Sequence, residues 1–141
     1  ITGGTGINVV ASSCRVEVDI RVPDAEAGEE FVAKVMNLKP VDSNVTLKIT
    51  GGMNRPPFEK NEGIGKLFEH AKKVCAEIGF DLEDMKTGGG SDGNFTAALG
   101  IPTLDGLGAD GVGAHAHHEQ IYFSSLEPRA KMWIRLLETL E

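Results

Sequence analysis

Four short stretches of the chain hold side chains able to do chemistry. The first is T-G-G-G-S-D-G-N-F from Thr87 to Phe95, three glycines ahead of a helix start. Glycines let a backbone come close to a ligand, and the N-H groups at a helix start are unpaired, so Gly88, Gly89, Gly90 and Ser91 form a candidate anion cradle. A plain tight turn capped by Ser91 or Asp92 is the simpler alternative. Neither G-x-x-x-x-G-K-[ST] nor a G-x-G-x-x-G after an apolar strand is present, so the expected anion is a carboxylate rather than a phosphate.

The second stretch overlaps the first. Gly89 to Gly93 formally fits G-x-S-x-G, and Ser91, Asp105 or Asp110, and His115 follow the serine-hydrolase order of nucleophile, acid and base. The preceding Asp81-Leu82-Glu83-Asp84-Met85-Lys86 is too charged for a buried central strand, which weighs against that reading. The third stretch, G-V-G-A-H-A-H-H-E-Q from Gly111 to Gln120, holds three of the four histidines, so a metal site is the chemistry to consider here. In an extended segment His115 and His117 would face one way and His118 the other, which favours one histidine ligand over a three-histidine site. A solvated loop is the bland alternative. Fourth, Arg55 stands in N-R-P-P, where neighbouring prolines would hold a guanidinium ready to grip a carboxylate through two parallel hydrogen bonds. An ordinary surface arginine in a linker is the competing reading.

Elements must position these groups. R-V-E-V-D-I-R-V from Arg15 to Val22 alternates strictly and predicts a half-exposed strand, as does Val45 to Thr50, with another short strand expected from Ile7 to Val10. Between them, Pro23 and Asp24 open a helix with Phe31, Val32, Val35, Met36 and Leu38 on one stripe, closed by Pro40. Pro56 and Pro57 remove two consecutive ladder donors, so a domain boundary is placed in the stretch Gly51 to Glu59. Ile64, Leu67, Phe68, Ala71, Val74, Cys75 and Ile78 then recur at helical spacing up to Gly79. Nine of 18 glycines fall between Gly88 and Gly113, so loops are expected to dominate there, broken by a short helix over 92–99 and a short strand over 101–104. Ser124-Ser125-Leu126-Glu127 fits a capping box, opening a last helix with Leu126, Ala130, Trp133, Leu137 and Leu140 on one face.

Composition narrows the classes. The chain has 141 residues, 40% hydrophobic and 25% charged, which excludes fibrous and fully disordered proteins. A formal charge of -7 argues against a nucleic-acid backbone or an anionic membrane as partner. No apolar run approaches the ~20 residues a membrane span needs. Cys14 and Cys75 lack metal-ligand spacing and fall in apolar-patterned segments, so both are expected to be buried free thiols, pointing to a reducing, cytoplasmic setting. The start at Ile1, directly before a Gly-Gly-Thr-Gly turn, suggests a piece of a longer polypeptide.

N-R-P-P-F-E, an amphipathic helix, T-G-G-G-S-D-G-N-F, G-I-P-T-L-D-G-L-G and G-x-G-A-H-A-x-x-E, in that order, resemble the C-terminal half of the di-zinc aminoacylase and carboxypeptidase family, with the glutamate carboxypeptidases nearest. The opening G-G-T-G-I-N-V-V-A and V-E-V-D-I-R resemble the second half of that family's lid. The resemblance implies an α/β fold: residues 1–53 as half of a ferredoxin-like α+β lid and dimerisation domain, and 54–141 as the C-terminal part of the catalytic domain. It implies that His115 is a zinc ligand with Glu119 as its neighbour, that Arg55 and the Gly88–Ser91 loop hold the substrate's carboxylate, and that Asn8 points toward substrate. The implied reaction is hydrolysis of an amide bond next to a free carboxylate, in a peptide or N-acyl amino acid, by a homodimer holding two zinc ions per full-length chain, with manganese or cobalt as other candidates.

The family's other ligands and its general base come from an N-terminal half with an H-x-D motif and a Glu-Glu pair, which this sequence does not match, since Glu29-Glu30 falls in the first expected helix; the first half of the lid is missing too. One imidazole is short of the three protein ligands a catalytic zinc site needs, so the chain by itself is expected to be inactive, with no catalytic residue of its own. A partial sheet with an unpaired edge is likewise expected to need a partner. A non-catalytic dimerisation and anion-binding module is the alternative from another class.

Overall fold

The computed structural model describes residues 1–140. The chain is a mixed helix and small-sheet protein. In order it forms β1 (Thr2–Gly3), β2 (Cys14–Arg15), α1 (Ala25–Met36), α2 (Glu62–Ile78), α3 (Gly93–Ala98), β3 (Gly111–Val112), β4 (Gln120–Ile121) and α4 (Phe123–Thr139).

All four helices fall where the sequence places them, because their start and stop signals are local. The Asp24 carboxylate accepts from Ala27 N at 2.8 Å and opens α1. Asn61 Oδ1 accepts from Ile64 N at 2.9 Å and opens α2, which Gly79 ends in the left-handed conformation at φ 100°. The apolar stripe of α2 packs against α4. Phe68, Ala71, Val74 and Cys75 meet Met132 and Leu136, with Leu82 and Leu107 closing the cluster. This is the core.

The face of α4 differs from expectation. Met132 and Leu136 point inward, while Trp133, Leu137 and Leu140 are exposed, Leu137 at 71%. Apolar residues cover much of this helix's circumference, so several rotations satisfy periodicity and packing against α2 selects one. The capping box also fails. Tyr122 stands at the N-cap, and Ser125 Oγ donates to Tyr122 O at 2.7 Å and accepts from Asp110 N at 3.0 Å, tying the helix start to the approach of β3. Glu127, instead of reaching back, pairs with Lys131 at 2.7 Å.

The expected strands form only in part. The alternating segment from Arg15 contributes Cys14–Arg15 to a ladder with Thr2–Gly3, and beyond it Val16, Val18 and Ile20 are exposed. Residues 45–50, 7–10 and 101–104 form no ladder among the described residues; Asn8 lies in a turn closed by Val9 N to Gly6 O. A strand's hydrogen bonds are made with a neighbour, so an alternating pattern without one stays extended and unpaired. Cys75 is buried as expected, but Cys14 is exposed, on this two-residue hairpin.

Candidate substrate-binding site

The N-R-P-P stretch and the glycine loop meet. A Cβ on Gly90 would lie 3.1 Å from Arg55 Cδ and 3.3 Å from Arg55 Nη1, so a side chain here would push the guanidinium off the loop backbone by a few tenths of an ångström. The same guanidinium lies over the Phe95 ring, 5.3 Å from its centroid, and 3.7 Å from the Asp92 carboxylate. Asp92 is almost fully exposed, so this ion pair is weak, whereas the ring stacks against one guanidinium face and leaves its edge free to donate. On the other side of the loop Arg21 donates to Gly88 O, which brings the first segment of the chain onto the cradle.

The loop is braced from within. Ser91 Oγ accepts from Gly93 N at 3.1 Å, so Ser91, and not Asp92, caps α3. Thr87 Oγ1 accepts from Gly89 N at 3.2 Å. Asn94, buried at 8% exposure, accepts from Ser91 N at 2.9 Å through Oδ1 and donates to Pro56 O at 2.8 Å through Nδ2. The N-H groups of Gly89 and Ser91 are therefore used internally. Gly88 N and Gly90 N make no hydrogen bond among the described residues and remain, with Arg55, to meet an anion. The six-residue α3 is too short for its dipole to add much, so the guanidinium carries most of the attraction.

His115 stands apart, in the loop between β3 and β4. Gly111 pairs with Ile121 and Val112 with Gln120, and a Cβ at Gly111 would collide with Gln120 O. At the head of this loop His115 has φ 65°, the one non-glycine residue of positive φ among those described. Such a conformation is strained, at about 1–3 kcal/mol, and concentrates at functional positions. Glu119 Oε2 accepts from His115 N at 3.3 Å, so Glu119 steadies the backbone at this position. The His118 ring packs against Gly113.

No group of three His, Cys, Asp or Glu side chains capable of holding a metal comes together among the described residues. His115 fits one corner of a zinc site, as an exposed imidazole on a backbone held in an unusual conformation. Asn8 makes no hydrogen bond with Arg55 or the glycine loop. Ser91 Oγ accepts from Gly93 N, and the hydroxyl makes no hydrogen bond to a histidine among the described residues.

Two residues of this site carried no role in the sequence reading. Asn94 is legible afterwards as the fourth residue of S-x-x-N, a variant of the reciprocal cap in which the later side chain reaches back to the earlier N-H. Arg21 had no signal beyond its place on the polar face of an alternating segment.

A family model described as Peptidase family M20/M25/M40 matches residues 2–139. The chain belongs to this family. Among curated proteins it is 31% identical over 145 residues to the succinyl-diaminopimelate desuccinylase of Cereibacter sphaeroides (strain ATCC 17029 / ATH 2.4.9), covering 97% of this chain and 36% of that protein. It is 30% identical over 146 residues to carboxypeptidase G2 of Pseudomonas sp. (strain RS-16), covering 97% and 34%. The chain therefore spans about a third of the length of these relatives. No solved structure gives a significant match.

Proposed function

We propose that this chain is the carboxylate-gripping part of a metal-dependent amidohydrolase, acting on a peptide or N-acyl amino acid at an amide bond beside a free carboxylate. The observation that carries the reading is the approach of the Arg55 guanidinium to Gly90, next to two loop amides without partners. The names of the two relatives, a desuccinylase of succinyl-diaminopimelate and a carboxypeptidase, share that substrate pattern.

Arg55 would bind the carboxylate through its free edge, with Gly88 N and Gly90 N donating to the same oxygens, and so fix which amide bond is presented. His115 would supply one nitrogen ligand. When bound, zinc supplies Lewis acidity, which polarises the amide carbonyl and brings a water's pKa toward about 7. The remaining ligands and the general base would come from the part of the protein outside this chain, since this family's relatives are about three times as long. In the same proposal residues 1–53 belong to a lid through which two copies associate, and 54–141 to the catalytic domain.

The test is kinetic, on the full-length enzyme with dipeptide and N-acyl amino acid substrates. Arg55→Ala removes a charge-assisted hydrogen-bonding pair worth about 2–3 kcal/mol, so KM should rise roughly 30- to 160-fold. An unchanged KM would remove the carboxylate clamp from the account.

A further inference from the structure

The Arg55 clamp has two halves that lie far apart in sequence, and one buried side chain joins them. Asn94 binds the carbonyl of Pro56, the residue after Arg55, and the N-H of Ser91, the residue after Gly90. We propose that Asn94 is a positioning residue for carboxylate binding, setting the separation between the Arg55 guanidinium and the glycine loop. This rests on the clamp reading given above and deepens it.

The carboxamide suits the task chemically. Pro56 O needs a donor and Ser91 N needs an acceptor, and a short side chain must offer both at once from within a buried space. Asn does so at 2.8 and 2.9 Å. Pro56 has no N-H of its own and Pro57 follows, so the backbone on either side of the Pro56 carbonyl has few other ways to be anchored. Apart from its approach to Gly90, Arg55 lies beside the exposed Asp92 and over the Phe95 ring, and an exposed ion pair and one ring face hold its distance from Gly90 only weakly. Loss of the carboxamide would therefore let the guanidinium drift from the loop amides while every carboxylate-binding group is still present.

The experiment is a double-mutant cycle on the full-length enzyme, read by calorimetric binding of glutarate, a dicarboxylate with no amide bond to cleave, against glutaramide as the uncharged control. Asn94→Ala should weaken glutarate binding roughly tenfold and leave any glutaramide binding unchanged. In the Arg55→Ala background the same replacement should have no further effect, because the side chain acts only through Arg55. A purely structural Asn94 would weaken binding equally in both backgrounds, or not at all, and either result overturns the proposal while sparing the clamp. Glutarate binding that ignores Arg55→Ala overturns the clamp and this inference together. Should Asn94→Ala fail to fold, Asn94→Asp keeps the volume and the acceptor toward Ser91, loses the donor toward Pro56, and is expected to show the same loss.

Discussion

Residues 1–53 and 54–141 are apolar in similar proportion and reach different ends. In the first region Gly28 alone is buried among the described residues; in the second, α2 and α4 enclose Phe68, Ala71, Val74, Cys75, Met132 and Leu136. Helices complete their hydrogen bonds within one segment and need only one partner helix to cover an apolar stripe. The alternating segments at 15–22 and 45–50 need neighbouring strands before their valines can be covered, and beyond the pairing of Arg15 with Thr2 they find none among the described residues. The second region can therefore hold the proposed carboxylate clamp on a packed helix pair, while the first reaches its glycine loop through Arg21.

This contrast can be broken by mutation. In the full-length protein Met132→Ala, at a fully buried position of the core, should cost about 2–5 kcal/mol by chemical denaturation. Val18→Ala, at a position 70% exposed here, should change stability by under about 0.5 kcal/mol unless residues outside this chain cover it. A large effect at Val18 would show that the first region is packed against a partner, sharpening the comparison into one between a self-sufficient and a dependent region.

A smaller effect is expected at the histidine loop. His115→Gly relieves the positive φ and should raise stability by about 1 kcal/mol while lowering metal affinity, separating the backbone's strain from the imidazole's use. Destabilisation by that change would show that His115 is a packing residue. Thiol labelling divides the regions again. Cys14, exposed, should react within the mixing time of a standard reagent, whereas Cys75, whose burial raises its thiol pKa, should react only as the protein opens.

The least effect concerns pH. A hydrogen bond from Lys60, reinforced by its charge, holds the Asp84 carboxyl below its usual range. The folded state therefore favours the ionised form, and the added stability is present above the unfolded pKa of about 3.9 and lost as pH falls through the lower folded value. Asp84→Asn should be slightly less stable than the parent at pH 6, with the gap closing below about pH 4. A gap that persists at pH 2 would mean the ion pair is not its source.

How much of this the sequence disclosed follows the same division. Asp24, Asn61 and Gly79 are local signals, and the helices they bound lie where periodicity places them. Arg55 stood out beside two prolines, Gly90 and His115 through local clusters of glycine and of histidine, and two of the three are brought together by the fold. Asn94 did not stand out, since its meaning lies in a contact with Pro56 that sequence proximity cannot show. The rotation of α4 was hidden by apolar residues on several of its sides, and the missing ladders by dependence on strands that periodicity cannot count.

The central claim is that this chain brings a carboxylate clamp and one metal ligand to a site completed elsewhere in the protein. Metal content and activity of the full-length enzyme, measured before and after chelation, test it most directly. The account predicts two zinc ions per chain, loss of hydrolysis on chelation, recovery on adding zinc back, and no recovery in His115→Ala. Full hydrolysis by metal-free enzyme would contradict it.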